Sequence, residues 1–162
     1  SVRAGLRAKE IANFKWAMVV DADGQMGNAI HLTDVASKGK SGRVVPLNKQ
    51  LHANLVQMLS IAKERRGFAL ESAYVITTER SAHTSAQAVV NMFKRWYHDL
   101  GLLGCSSHSG RRTFITNAAR QISTVGGSIR DVQILAGHSS LAVTQRYIEG
   151  DSEARRKIVD LV

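Results

Sequence analysis

Several side chains in this sequence are of types, and at spacings, that could act on a phosphate. Arg7 and Glu10 are three positions apart, as are His108 and Arg111; Lys38 sits in the glycine-flanked stretch SKGKSG; His138 follows Gly137, and Tyr147 comes nine positions after it. Arginine offers a planar fork of donors that stays charged and fits the oxygens of an anion. Histidine shares or moves a proton near neutral pH, and a lysine on a turn can serve as an acid. A tyrosine becomes a nucleophile when its phenolate is stabilised. Each position also has an ordinary reading. An Arg–Glu pair at this spacing is commonly a solvated ion pair, and a turn lysine commonly faces water. Histidines at helix ends cap them, and Tyr147, beside Leu141, Val143 and Thr144, has the look of a half-buried packing residue.

The order of the set narrows the choice. GLRAKE at 5–10, a lysine turn running into RVVPL, HSGRRTF at 108–114, LAGH at 135–138 and then Tyr147 together resemble the catalytic domain of the tyrosine recombinase (phage integrase) family. The resemblance runs from Gly5 to about Glu149. It implies that Arg7 and Arg111 are catalytic arginines, that Glu10 supports Arg7, and that Lys38 is the hairpin lysine. It further implies that His108 pairs with Arg111, that His138 is the next active-site histidine, and that Tyr147 is the nucleophile. Double-stranded DNA is the implied partner, with Lys40, Arg43, Arg112 and Arg146 as expected contacts. The family also implies a tetramer on DNA, formed from monomers. The C-terminal stretch SEARRKIVDLV would then dock on a neighbour through Ile158, Val159, Leu161 and Val162; the alternative is packing on its own domain.

The implied chemistry suits these residue types. The transition state of phosphodiester transfer gathers negative charge on non-bridging oxygens, and each preplaced donor there is worth roughly 3 kcal/mol, about a hundredfold in rate. A phenol with an ordinary pKa of about 10 is a poor nucleophile unless cations favour the phenolate. His138 could bond the same oxygens, His108 could bond phosphate or assist the leaving phenol proton, and Lys38 could protonate the departing 5′ hydroxyl. The expected reaction uses no metal, no cofactor and no ATP. Three other readings fit less well. A recombinase-like DNA-binding module without activity would not require Tyr147, and a type IB topoisomerase or telomere resolvase fits HxxR and LAGH less well. The six histidines lack HxxxH or HExxH spacing, which argues against a metal enzyme.

The elements that must hold this set are legible in outline. GLRAKEIANFKW reads as a short helix with Ile11, Phe14 and Trp16 on one face; NAIHLT and RVVPL read as the strands of a hairpin ending at Pro46. Asn48 is a good N-cap for a helix with Leu51, Leu55, Met58, Leu59 and Ala62 on one face. AYVITTE reads as extended, and Thr84 with Gln87 as the capping box of a helix bearing Val89, Val90, Phe93, Trp96, Tyr97 and Leu100. HSGRRTFITNAARQI is expected to be helical in its second half, Ser128 with Asp131 to open SIRDVQILAG, and SLAVTQRYI to form a helix carrying Tyr147. The predicted fold class is mainly α with a small antiparallel β-sheet (α+β), in a single domain over residues 1–162. Two departures from the family are apparent. Gly110 stands where Leu is usual, which is expected to loosen the helix start by up to about 1 kcal/mol and to remove a core contact. Arg7 lies so near the start that the family's N-terminal DNA-binding domain and a preceding helix are expected to be missing.

Composition agrees with this reading. Twenty-two Lys and Arg against 13 Asp and Glu give a net charge of +9, and the excess lies in residues 1–66 and 105–150. Such a balance suits a nucleic-acid partner. No apolar run approaches the length of a membrane span, and the lone Cys105 cannot pair within the chain, so a cytoplasmic protein is expected.

Overall fold

The computed structural model describes residues 1–37, 41–79, 81–148 and 159. It is mainly α-helical with a two-stranded antiparallel sheet. Helix α1 covers Ala8–Ala12 and is shorter than its periodicity suggests. Asn13 ends it by folding its amide onto the Lys9 carbonyl at 2.8 Å. The chain then turns so that Trp16, 1% exposed, enters the core, with its N–H donating to the Ala73 carbonyl.

Strands β1 (Ala29–Leu32) and β2 (Arg43–Pro46) pair in the register Ile30↔Val45 and Leu32↔Arg43. Alternation buries Ile30, Leu32, Val45 and also Arg43, while His31 and Val44 face out. Helix α2 (Lys49–Lys63) opens on Asn48, whose side chain accepts the Leu51 N–H at 2.8 Å. It buries Leu55, Leu59 and Ala62, leaving Met58 39% exposed. AYVITTE is not a strand; it contributes isolated bridges only, Lys15↔Tyr74 and Thr78↔Ser81. Backbone pairing there serves to pin the Trp16 turn, as Val75 N–H donates to the Phe14 carbonyl.

Helix α3 (Ala86–Asp99) is capped by Ser85, whose hydroxyl accepts the Ala88 N–H, and not by Thr84. Thr84 is buried, and its hydroxyl reaches back to the Ile76 carbonyl. The apolar face of α3 is also narrower than expected. Val89 is fully buried and Val90, Met92 and Phe93 pack on the core, whereas Trp96 is 46% and Leu100 71% exposed. Helix α4 spans Ser109–Gln121, starting directly after His108 rather than midway along its segment. Helix α5 (Ile129–Ala136) opens on the expected Ser128–Asp131 capping box and closes on Gly137 in the left-handed region (φ 60°). Helix α6 is only Leu141–Gln145, so Tyr147 lies in the turn after it and not on the helix.

Among the described residues two apolar clusters result. The larger joins α1, the hairpin, α2 and Val89 of α3; the smaller is Ile115, Val132 and Ala136, with Tyr147 packed on it. Gly110 is not a gap in this packing. A Cβ there would lie 2.9 Å from Ser1 Oγ and 3.2 Å from Val2 N, so residues 1 and 2 fill the volume that a larger side chain would need. Among the described residues no helix is long and apolar enough to cross a membrane.

Candidate active site

The last carbonyls of a helix have no partner within it and carry the negative end of its dipole. At the end of α5, arginines from three different elements fill that role. Arg43 Nε donates to the Leu135 carbonyl at 2.8 Å, Arg111 Nη2 to Ala136 at 2.6 Å, and Arg7 Nη2 to Gly137 at 3.0 Å. Arg111 Nη1 also donates to the Gly5 carbonyl. One short backbone stretch thus gathers the N-cap of α1, the start of β2 and the first turn of α4.

A single carboxylate ties two of these arginines together. Glu10, fully buried, accepts from Arg43 through both oxygens (2.8 and 3.1 Å), from the Arg7 guanidinium at 2.9 Å and from the Arg7 N–H at 2.8 Å. Burial alone would raise its pKa, but the hydrogen bond and charge of Arg43, followed by Arg7, hold it below the usual carboxylate value. Burial, then repulsion from Arg7, pushes Arg111 down to about 10, which leaves it charged at neutral pH. A guanidinium has five N–H donors. Arg7 and Arg111 each keep N–H groups that have no partner among the described residues.

His138 stands at the next residue. Its backbone is clamped by Gln133, which accepts the His138 N–H at its carbonyl and donates its side-chain amide to the His138 carbonyl at 3.0 Å. Its ring lies on Tyr147, centroids 5.5 Å apart at an interplanar angle of 20°, and its Nδ1 is 2.9 Å from Thr144 Oγ1. Burial, then Arg111, Arg7 and Arg43, pushes the imidazole pKa down to about 4, so the ring is neutral at physiological pH. A cleft of about 650 Å³ opens beside this group, lined by Arg7, Ser41, Gly42, Arg43, Gly137 and His138 among others. A larger cleft, about 960 Å³ between Trp16, the end of α2 and the loop to Ala82, contains none of the residues singled out for chemistry.

Arg7, Glu10, Arg111, His138 and Tyr147 are therefore brought together. His108 lies directly before α4 with an exposed side chain that has no hydrogen-bond partner among the described residues. Lys38 and Lys40 fall outside the described residues, and residues on either side of them are tied down. Lys9 Nζ donates to the Ser37 carbonyl at 3.0 Å, and Gly42 N–H donates to Asp34 Oδ1 at 2.8 Å. Arg112 and Arg146 are exposed, as a DNA contact requires. Arg43 was expected as an outward DNA contact, but its side chain is 5% exposed and engaged with Glu10 and Leu135, so it braces the pocket from within. Period-two alternation in RVVP puts Arg43 on the same face as Val45, and that signal was present in the sequence. Thr144 had no signal of its own.

A two-stranded antiparallel sheet among helices, with arginines, a histidine and a tyrosine meeting at one helix end, defines the class. The fold is that of tyrosine recombinase catalytic domains, and it is shared with a crystal structure of XerA recombinase (TM-score 0.75, 23% identity, covering 99% of this chain and 54% of that one). It is also shared with a crystal structure of XerH site-specific recombinase bound to difH substrate in a pre-cleavage complex (TM-score 0.66, 18% identity, covering 98% and 43%). The chain belongs to the phage integrase family, whose model matches residues 1–153. It is 30% identical over 158 residues to tyrosine recombinase XerC of Proteus mirabilis, covering 97% of this chain and 47% of the relative. The chain spans about half the length of the curated relatives it matches.

Proposed function

We propose that this chain is the catalytic domain, over residues 1–162, of a site-specific DNA recombinase that breaks and rejoins DNA through a 3′-phosphotyrosine. The observation that carries the reading is the convergence of Arg7, Arg111, His138 and Tyr147 at the end of α5. The uncommitted N–H groups of the two arginines would hold the non-bridging oxygens of a scissile phosphate, and His138 would add a donor. Tyr147 Oη attacks phosphorus, so a tyrosyl P–O bond forms as the P–O5′ bond breaks. The phenol proton leaves to a base, for which His108 is the candidate, and the departing 5′ oxygen takes a proton, for which Lys38 is the candidate. The loop that carries Lys38 has its flanking Ser41 and Gly42 at the cleft, which favours that role. Attack by a second strand's 5′ hydroxyl reverses these steps and reseals the DNA. The reading extends to four protomers on two duplexes, joined through the C-terminal stretch, which lies outside the described residues apart from Val159. It also implies a DNA-associated protein of a bacterial or phage-infected cytoplasm.

A nicked suicide duplex, whose 5′ fragment diffuses away after cleavage, tests this in EDTA on a denaturing gel. Wild type should give a protein–DNA band and Tyr147→Phe none, while DNA binding is retained. Arg7→Ala and Arg111→Ala should each cut linkage by about a hundredfold or more. Linkage by Tyr147→Phe would sink the nucleophile assignment. DNA binding without linkage in wild type would favour a binding module.

A further inference from the structure

We propose that Thr144 fixes the tautomer of His138, so that the ring presents Nε2–H, a donor, toward the scissile phosphate. Thr144 is a positioning residue in this scheme, and the inference rests on the phosphodiester reading of the cleft. Thr144 is fully buried, and its hydroxyl lies 2.9 Å from His138 Nδ1. That nitrogen is the hydroxyl's one side-chain partner among the described residues. A hydroxyl carries one proton, and a buried O–H without an acceptor is costly, whereas an unused lone pair costs less. Thr144 therefore donates, and Nδ1 must be the bare, accepting nitrogen.

The consequence follows from proton count. A neutral imidazole has one N–H, so once Nδ1 accepts, the proton sits on Nε2. The ring is held neutral by burial and by three neighbouring arginines. Its other freedoms are also removed: Gln133 clamps the backbone on both sides and Tyr147 covers one face. Nε2 is then the polar ring atom without a partner among the described residues, on a side chain that lines the cleft with Arg7. Phosphate oxygens only accept, so the opposite tautomer would set a lone pair against a lone pair. Thr144 lies three residues before Tyr147, whose N–H donates to the Thr144 carbonyl at 3.0 Å, so the His138–Thr144 pair is tied to the turn that carries the nucleophile.

Nitrogen-15 spectra of histidine-labelled free protein at neutral pH read the tautomer directly. The expected result is a bare Nδ1 and a protonated Nε2 at His138 in wild type, with the opposite form gaining population in Thr144→Val and receding in Thr144→Ser. DNA linkage should fall about tenfold in Thr144→Val, the size of one lost hydrogen bond. Thr144→Ser should restore most of it, and Thr144→Val should cost nothing further in a His138→Ala background. A protonated Nδ1 in wild type would overturn the proposal, as would a Thr144→Val loss that persists without His138. Absence of linkage in wild type bears on the recombinase reading alone, because the tautomer is read without DNA and still decides the Thr144 assignment.

Discussion

Arg7 and Arg43 share the fully buried Glu10 carboxylate; the Arg43 side chain is 5% exposed, whereas that of Arg7 is 21% exposed at the cleft. Removing one partner of a buried charge group strands the other, at a cost of about 3–5 kcal/mol. Glu10 keeps its two bonds from Arg7 when Arg43 is removed, so Arg43→Ala should lower stability by less than that amount, measured as a urea midpoint, and should weaken DNA linkage by loosening the pocket. Arg43→Lys keeps the charge but loses the two-pronged grip on Glu10 and the Leu135 bond, and should recover only part of each. Acid acts on two residues here. Glu10 has a lowered folded pKa, so its contribution is complete above the ordinary value of 4.5 and is lost as pH falls through the folded one. For His138, the unfolded ring takes up a proton near 6.5 and the folded ring only near 4, so stability drops as pH falls between those values. Urea midpoints at pH 7.5 and pH 5 should show a smaller difference in His138→Gln than in wild type. The candidate site residues could be named from the sequence because type, order and spacing agree with the family over six positions, and five of the candidates, Arg7, Glu10, Arg111, His138 and Tyr147, lie together in the structure. Arg43's inward role was legible as well, by strand alternation, but its basic neighbours suggested DNA instead.

At the level of elements, two glycines make opposite points. Gly137 closes α5 in a left-handed conformation, and a Cβ there would lie 2.8 Å from Arg43 Nη1. Gly137→Ala should cost about 1–2 kcal/mol from the backbone, with further loss from displacing Arg43. Gly110 lies within α4, where alanine has the better helix propensity by about 1 kcal/mol. Contact with Ser1 and Val2 nevertheless means that Gly110→Ala should lower the thermal midpoint, and Gly110→Leu more so. The hairpin, the Asn48 cap and the Ser128–Asp131 box were readable because each is a local rule confined to a few residues. Cap choice between Thr84 and Ser85 was not, because the decision lies with the Ile76 carbonyl eight residues away. Nor was the gathering of arginines at the end of α5, whose partners are 25 to 130 residues apart in sequence. The helix carrying Leu141 stops short of Tyr147, which sequence periodicity could not show, since the ring is held by stacking on His138 and by packing on the α4–α5 cluster.

Across the molecule, a net charge of +9 on a small fold calls for binding governed by phosphates. Affinity for duplex DNA should fall steeply with salt, and charge removal at the exposed Arg112 or Arg146 should reduce the slope of log K against log salt by about 1 each. Arg43→Ala, by contrast, should leave that slope unchanged, which separates a contact from a brace. The grip of three arginines on one helix end has a further consequence in the order of folding. Arg7 and Gly137 are 130 residues apart, Arg111 and Gly5 are 106, and Arg43 and Leu135 are 92. Such contacts follow the closure of long loops, and their entropy is lost before they give anything back. The cradle around the tyrosine is thus among the last parts to close on folding and among the first to open on partial unfolding. Under the proposed function, a half-folded chain would carry Tyr147 without the arginines gathered beside it, so reactivity would be confined to molecules that have finished folding.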